Sequence, residues 1–265
     1  MMECTNPVRG WKAIRAMREP VRAAFPPRVG LVLLLACHAV VAAAAPGGQP
    51  RIARFGAGDQ AATLGAPADS VNFGQEPASS AVIHLAQWVV ASRDNGGKAY
   101  LIIDKVNAKV FVFDAAGHLR GAAPALLGAA RGDDSVEGIG HQKMSTIRPQ
   151  DRTTPAGRFV ATLGHGVHGN EILWISYADS IALHPVVKGT PQERRAQRLQ
   201  SATATDNRIS YGCINVPLVF YEKFVSPAFI NAGVVYILPE IRSARGLFGS
   251  YRGAYTPSAA GQVRP

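Results

Sequence analysis

The hexapeptide Ser210-Tyr211-Gly212-Cys213-Ile214-Asn215 places a cysteine directly after a glycine, with several histidines upstream. Cysteine chemistry runs through the thiolate, and a thiol with a pKa near ~8.5 is mostly protonated at neutral pH. A neighbouring histidine can take the proton. A helix starting soon after the sulfur would favour the anion, and the sequence predicts one over Pro217–Val225. Gly212 permits close backbone approach, so amides around Tyr211, Gly212 and Cys213 are candidates for an oxyanion hole. Beyond residue 45 the candidate bases are His84, His118, His141, His165, His168 and His184. His184 ends the apolar run Ser180-Ile181-Ala182-Leu183-His184, where a strand end holds a side chain firmly and can present it to a cleft. Alone it reads equally well as a half-buried strand residue; its pairing with Cys213 singles it out. His165 and His168 lie three apart but have no convincing third ligand, so no metal and no cofactor is assigned.

The other two cysteines, Cys4 and Cys37, fall in a segment with the pattern of a secretory signal. Six basic residues from Arg9 to Arg28 precede an uncharged apolar run, Val29–Ala45, that closes on small residues. The run is somewhat short for a membrane span of about 20 residues. Removal of residues 1–45 as a signal peptide would leave Cys213 as the only cysteine, and an odd cysteine in an exported protein points to a reactive thiol. A lipoprotein anchored at Cys37 is the minor alternative. Residues 1–45 carry six basic and two acidic side chains, so of the net charge of +10 the remainder keeps +6. That balance suits an anionic wall or membrane surface as well as it suits plain solubility. Nucleic acid is not expected as a partner, because the basic residues are dispersed with no aromatic stripe among them.

Residues 46–78 are rich in Gly, Ala, Pro and Gln and read as a linker. With the helix that follows they make up an N-terminal segment, 46–97. Ser80 is the expected cap of a helix over Ala81–Ser92, with Val82, Leu85, Ala86 and Val89 on one face and Asn95-Gly96-Gly97 as its stop. Trp88 reads as core packing. Tyr100–Ile103 and Val110–Phe113 form an expected hairpin, and Ala122–Ala130 is ambiguous between strand and buried turn. Arg131–Asp151 is a long irregular stretch of the kind used for lids and binding loops. In it Asp133 and Asp134 read as a solvated turn. Further strands are expected at Arg158–Leu163, Glu171–Tyr177, Ser180–His184 and Gly233–Leu238. Thr190-Pro191-Gln192-Glu193 is a capping-box pattern opening a short basic helix, Pro191–Leu199. Residues 241–265 show no apolar periodicity and read as a flexible tail.

The motif Ser210–Asn215 with His184 upstream resembles the signature of L,D-transpeptidases with a YkuD-type catalytic domain. The similarity extends through Thr154-Pro155-Ala156-Gly157-Arg158-Phe159, Ile172–Ile175 and Gly233–Leu238, and covers roughly 98–240. The resemblance implies a mainly β fold with a few short helices, an open barrel or sandwich with the catalytic cysteine in a cleft under a mobile flap. It implies a periplasmic or wall-facing acyltransferase whose partners are peptidoglycan stem peptides, donor and acceptor. Cys213 would be the nucleophile and His184 the base. Gly212 and neighbouring amides would hold the oxyanion, with Ser210 and Asn215 fixing loop or substrate. Transfer to water would make the protein an L,D-carboxypeptidase, and loss of the catalytic set would leave a wall-binding module. Three features depart from the family pattern: Tyr211 stands where a second histidine is usual, Pro185 follows His184, and the interval from His184 to Cys213 is long. On this reading the helix Pro191–Leu199 is an insertion over the cleft, and Arg194, Arg195 and Arg198 either contact acidic groups of the substrate or, as is more common, form a solvated helix face.

Overall fold

Runs of β-branched and aromatic residues, cut by turn residues, give ten strands among the described residues. In chain order these are β1 (Tyr100–Asp104), β2 (Lys109–Phe113), β3 (Leu119–Pro124), β4 (Leu127–Gly128), β5 (Gly157–His165), β6 (Glu171–Ser176), β7 (Ile181–Pro185), β8 (Arg208–Ser210), β9 (Ile214–Val216) and β10 (Gly233–Ile237). The computed structural model describes residues 71–251, and all of these belong to one compact unit. The expected signal peptide, the Cys37 alternative, most of the linker and residues 252–265 lie outside the described residues. Among the described residues no helix is long and apolar enough to cross a membrane.

Eight strands form one sheet in the order β3-β2-β1-β10-β5-β6-β7-β9, and β4 pairs with β8. The last strand therefore lies mid-sheet, parallel to β1 and antiparallel to β5. Immediately after the edge strand β3, Leu126 exchanges both backbone hydrogen bonds with Asn215 of the opposite edge strand β9. That contact nearly closes the sheet into a barrel. The mainly β class with few, short helices is the architecture expected from the sequence.

Strand alternation sorts the side chains into two cores. Leu101, Ile103, Val110, Val112, Leu173, Leu183, Ile214, Val235 and Ile237 share the larger one. Tyr100, Ile102, Phe111, Phe113, Val234 and Tyr236 point to the other face, where the helix α1 (Ser80–Ser92) lays Val82, Leu85, Ala86 and Val89 against them. The cap of α1 is Ser79, one residue before the expected one: its hydroxyl accepts from the Val82 amide at 3.3 Å and donates to Asp104 at 2.7 Å. Trp88 packs edge-on to Tyr236 and Tyr251.

Two segments depart from expectation. Over its described part, the stretch read as a tail is docked: Ala244, Phe248 and Tyr251 are buried in the second core. The segment is a run of turns and bends, neither helix nor strand, and its few apolar residues stand among arginine, glycine and serine, so composition gave no sign of the docking. The basic helix Pro191–Leu199 is broken in two. A 3-10 turn (Pro191–Glu193) carries the expected capping box, Arg194 adopts a left-handed conformation, and the helix α2 (Arg195–Leu199) follows. The Glu193 carbonyl, which a continuous helix would use internally, accepts instead from the Arg198 guanidinium at 2.8 Å.

Candidate functional site

On the half of the sheet away from α1, the face opposite the larger core carries Ile172, Trp174, Ala182 and Cys213 as a third cluster. The parallel register pairs Leu183 with Ile214 and His184 with Asn215. Alternation then sets Ala182, His184, Cys213 and Asn215 on one face, with Cys213 two residues back from the partner of His184. Cys213 itself precedes β9 and packs with Ala182, Ile172 and Trp174.

The turn that presents Cys213 is held at several points. Gly212 has φ of +131°, and a Cβ there would lie 2.7 Å from the Thr153 carbonyl oxygen and 2.7 Å from Ile181 Cδ1. Only glycine fits. The Ser210 hydroxyl donates to the Cys213 carbonyl at 2.6 Å and accepts the Gly212 amide at 3.1 Å. The Thr154 hydroxyl donates to the Gly212 carbonyl at 2.8 Å and accepts from the Gly128 amide at 2.9 Å. Cys213 is 7% exposed. Its Sγ lies 3.5 Å from the carbonyl oxygen of Ser180, itself a left-handed residue. In this structure Cys213 is disulfide-bonded. The helical run beginning at Leu218 does not abut the sulfur. Strand β9 intervenes with three residues, about 10 Å of chain, and a helix-terminal field fades within its first turn. The sequence-based expectation that this helix favours the thiolate is corrected on that ground.

His184 is 4% exposed and Asn215 1%. The ring Nδ1 is 2.8 Å from the Pro185 carbonyl oxygen, and Nε2 is 3.3 Å from Asn215 Nδ2. Asn215 Oδ1 receives a hydrogen bond from Arg195 at 2.9 Å. Arginine only donates, so the oxygen of the Asn215 amide must face it and the NH2 must face the imidazole. His184 therefore carries its proton on Nδ1, bonded to Pro185, and a lone pair on Nε2. Burial pulls the His184 pKa below its ordinary value; the bond to Pro185 opposes this and the Arg195 charge adds to it.

Tyr211 is half-buried beneath the guanidinium of Arg152, 4.0 Å from its ring centre, and Arg152 donates in turn to the Ile147 carbonyl. Arg195 pairs with Glu193 at 2.7 Å, and Arg198 donates to the Glu193 and Asp206 carbonyls. Two of the three arginines of Pro191–Leu199 thus make contacts inside the chain; Arg194 is exposed.

A buried charged group braces the turn from behind. Lys105, 0% exposed, donates to Asp133 Oδ1 and to the Thr154 carbonyl, each at 2.8 Å. Asp133 also accepts the backbone amides of Glu240, Ile241 and Arg242. Glu240 pairs with Arg208, whose guanidinium donates to the Lys105 carbonyl. Asp133 is therefore an anchor and not the solvated turn expected. Burial alone would raise its carboxyl, but Lys105 and the backbone amides hold it below the ordinary range. Burial draws Lys105 down, opposed by Asp133 and Glu240. Nothing in local sequence joins Lys105, Asp133, Arg208 and Glu240. The Thr154 position, by contrast, was legible as part of the Thr-Pro-x-Gly-x-Phe turn.

The remaining histidines stand elsewhere: His84, His118, His141, His165 and His168 are exposed, and His118 lies 3.1 Å from Asp114. No group of three metal-ligating side chains occurs among the described residues.

No family model matches the sequence, and no curated protein matches it. Solved structures do. The structure of the LD transpeptidase LdtMt1 in complex with imipenem is similar at 13% identity and a TM-score of 0.32, over 53% of this chain and 58% of that one. The helical cell shape determining protein Pgp2 from Campylobacter jejuni is similar at 14% identity and a TM-score of 0.36, over 58% of this chain and 53% of that one. The chain thus spans less than two thirds of either. Both likenesses are remote.

Proposed function

We propose that the exported chain, with Cys213 as a thiol, is a cysteine acyltransferase acting on peptidoglycan stem peptides. The observation that supports this is the β7–β9 register, which sets His184, Asn215 and Cys213 on one sheet face at the positions where the sequence resembles L,D-transpeptidases. In the proposed reaction the Asn215 NH2, which donates to His184 Nε2 at rest, gives way, and the Cys213 proton passes to that nitrogen. The thiolate attacks the carbonyl carbon of the third, L-centred residue of a donor stem. Main-chain amides of the Tyr211–Cys213 turn face the oxyanion, although the Gly212 amide first bonds Ser210. Collapse breaks the C–N bond, the imidazolium protonates the departing D-alanine nitrogen, and a thioester remains. An acceptor amine then attacks the thioester carbonyl and gives its proton to Nε2. The C–S bond breaks, and that proton returns to the sulfur.

The test uses protein purified from the exported fraction under reducing conditions. Incubated with a carbapenem and weighed, it should gain one adduct. Cys213→Ala should gain none, and His184→Ala should acylate at least ~100-fold more slowly, the usual yield of a positioned base. Product analysis on a stem peptide, with and without an amine acceptor, separates transfer from hydrolysis. Stem-peptide binding with no adduct on the reduced wild type would overturn the enzyme reading and leave a wall-binding module.

A further inference from the structure

Arg195 lies in the interval between His184 and Cys213, on a segment that neither sequence motif includes. Its side chain is 11% exposed, with Nε on Glu193 and a terminal nitrogen on Asn215 Oδ1. Beyond Asn215 the chain of bonds continues to His184 Nε2 and from Nδ1 to the Pro185 carbonyl. Each link fixes the next. A guanidinium cannot accept, so the Asn215 amide cannot turn over; with its NH2 toward the ring, Nε2 must accept. We propose that Arg195 is a positioning residue: it holds the Asn215 amide so that its NH2 donates to His184 Nε2, which keeps the resting imidazole neutral with its proton on Nδ1.

The inference rests on the reading of His184 as the base. Were Arg195 absent, the Asn215 amide could rotate and offer its oxygen to Nε2–H, an arrangement that favours the imidazolium. The charged group acting on the imidazole is Arg195 of α2, with Glu193 paired behind it. The positive charge therefore opposes protonation both directly and through Asn215, in the same sense as burial.

The experiment is a pH titration of the His184 ring by NMR of imidazole-labelled, reduced, exported protein, run on wild type, Arg195→Lys, Arg195→Gln and Arg195→Met. The titration midpoint should rise by on the order of one pH unit in Arg195→Met and Arg195→Gln. It should stay near wild type in Arg195→Lys, which keeps a charge and a donor. The acid limb of carbapenem acylation should move up with it. Arg195→Gln keeps a long polar stem and carries the test if Arg195→Met does not fold. A midpoint unchanged in both neutral variants overturns the proposal. If the reduced wild type forms no adduct but the midpoint still rises in the neutral variants, the positioning role stands and the acyltransferase reading falls.

Discussion

Thr154 shows how much one hydroxyl can do at this site. It donates to the Gly212 carbonyl and accepts from Gly128, both in buried surroundings. Thr154→Val keeps the shape and strands both partners, so it should cost about 1–3 kcal/mol, read as a lower urea midpoint, with slower carbapenem acylation. Gly212 is constrained differently, by its left-handed φ and by the approach of Thr153 and Ile181. Gly212→Ala should lose acylation altogether while costing on the order of 1–3 kcal/mol of stability. A Gly212→Ala protein that acylates at the wild-type rate would show that the turn is not held as described.

Helix and strand ends bring separate pieces of sequence to the turn. Asp133 binds the chain just after β10, Lys105 sits in the β1–β2 turn, and Arg208 opens β8 two residues before Ser210. Removing one member leaves buried charge uncompensated. Lys105→Met should therefore destabilise by about 3–5 kcal/mol, whereas a replacement of the whole set by apolar residues of similar volume need not. A double-mutant cycle between Lys105→Met and Asp133→Asn checks this: strong non-additivity is expected, and simple additivity would mean the pair is not coupled. At the first helix, Ser79→Ala should cost about 1 kcal/mol through the lost cap, and Ser80→Ala much less, since Ser79 makes the capping bond.

For the molecule as a whole, acid should be the destabilising direction. The unfolded chain protonates His184 near its ordinary pKa of about 6.5, while the folded protein resists it. The unfolded state then binds more protons, so stability is fully present above about pH 6.5 and is lost as pH falls toward the lower, folded value. Asp133 acts in the same sense further into acid, below the ordinary carboxylate range. The urea midpoint should therefore fall between pH 7 and 5, and His184→Gln should flatten that slope. An unchanged slope in the variant would assign the acid sensitivity to other groups.

Sequence by itself determined the mainly β class, the positions of β1, β2, β5, β6, β7 and β10, and the identity of the candidate nucleophile turn, but not the strands β3, β4, β8 and β9. These depend on alternation, turn residues and local spacing, which neighbours along the chain dictate. Even the Ser79 cap and the broken basic helix differ from expectation by little: Asp104 reaches Ser79 from β1, and Arg198, five residues on in the same segment, takes the Glu193 carbonyl. Only the tertiary structure decided that Arg195 serves His184 through Asn215, that Asp133 is an anchor, and that Phe248 and Tyr251 close the second core. Those contacts join residues far apart in sequence, and a side chain's partner across a closed sheet leaves no periodic trace in its own surroundings.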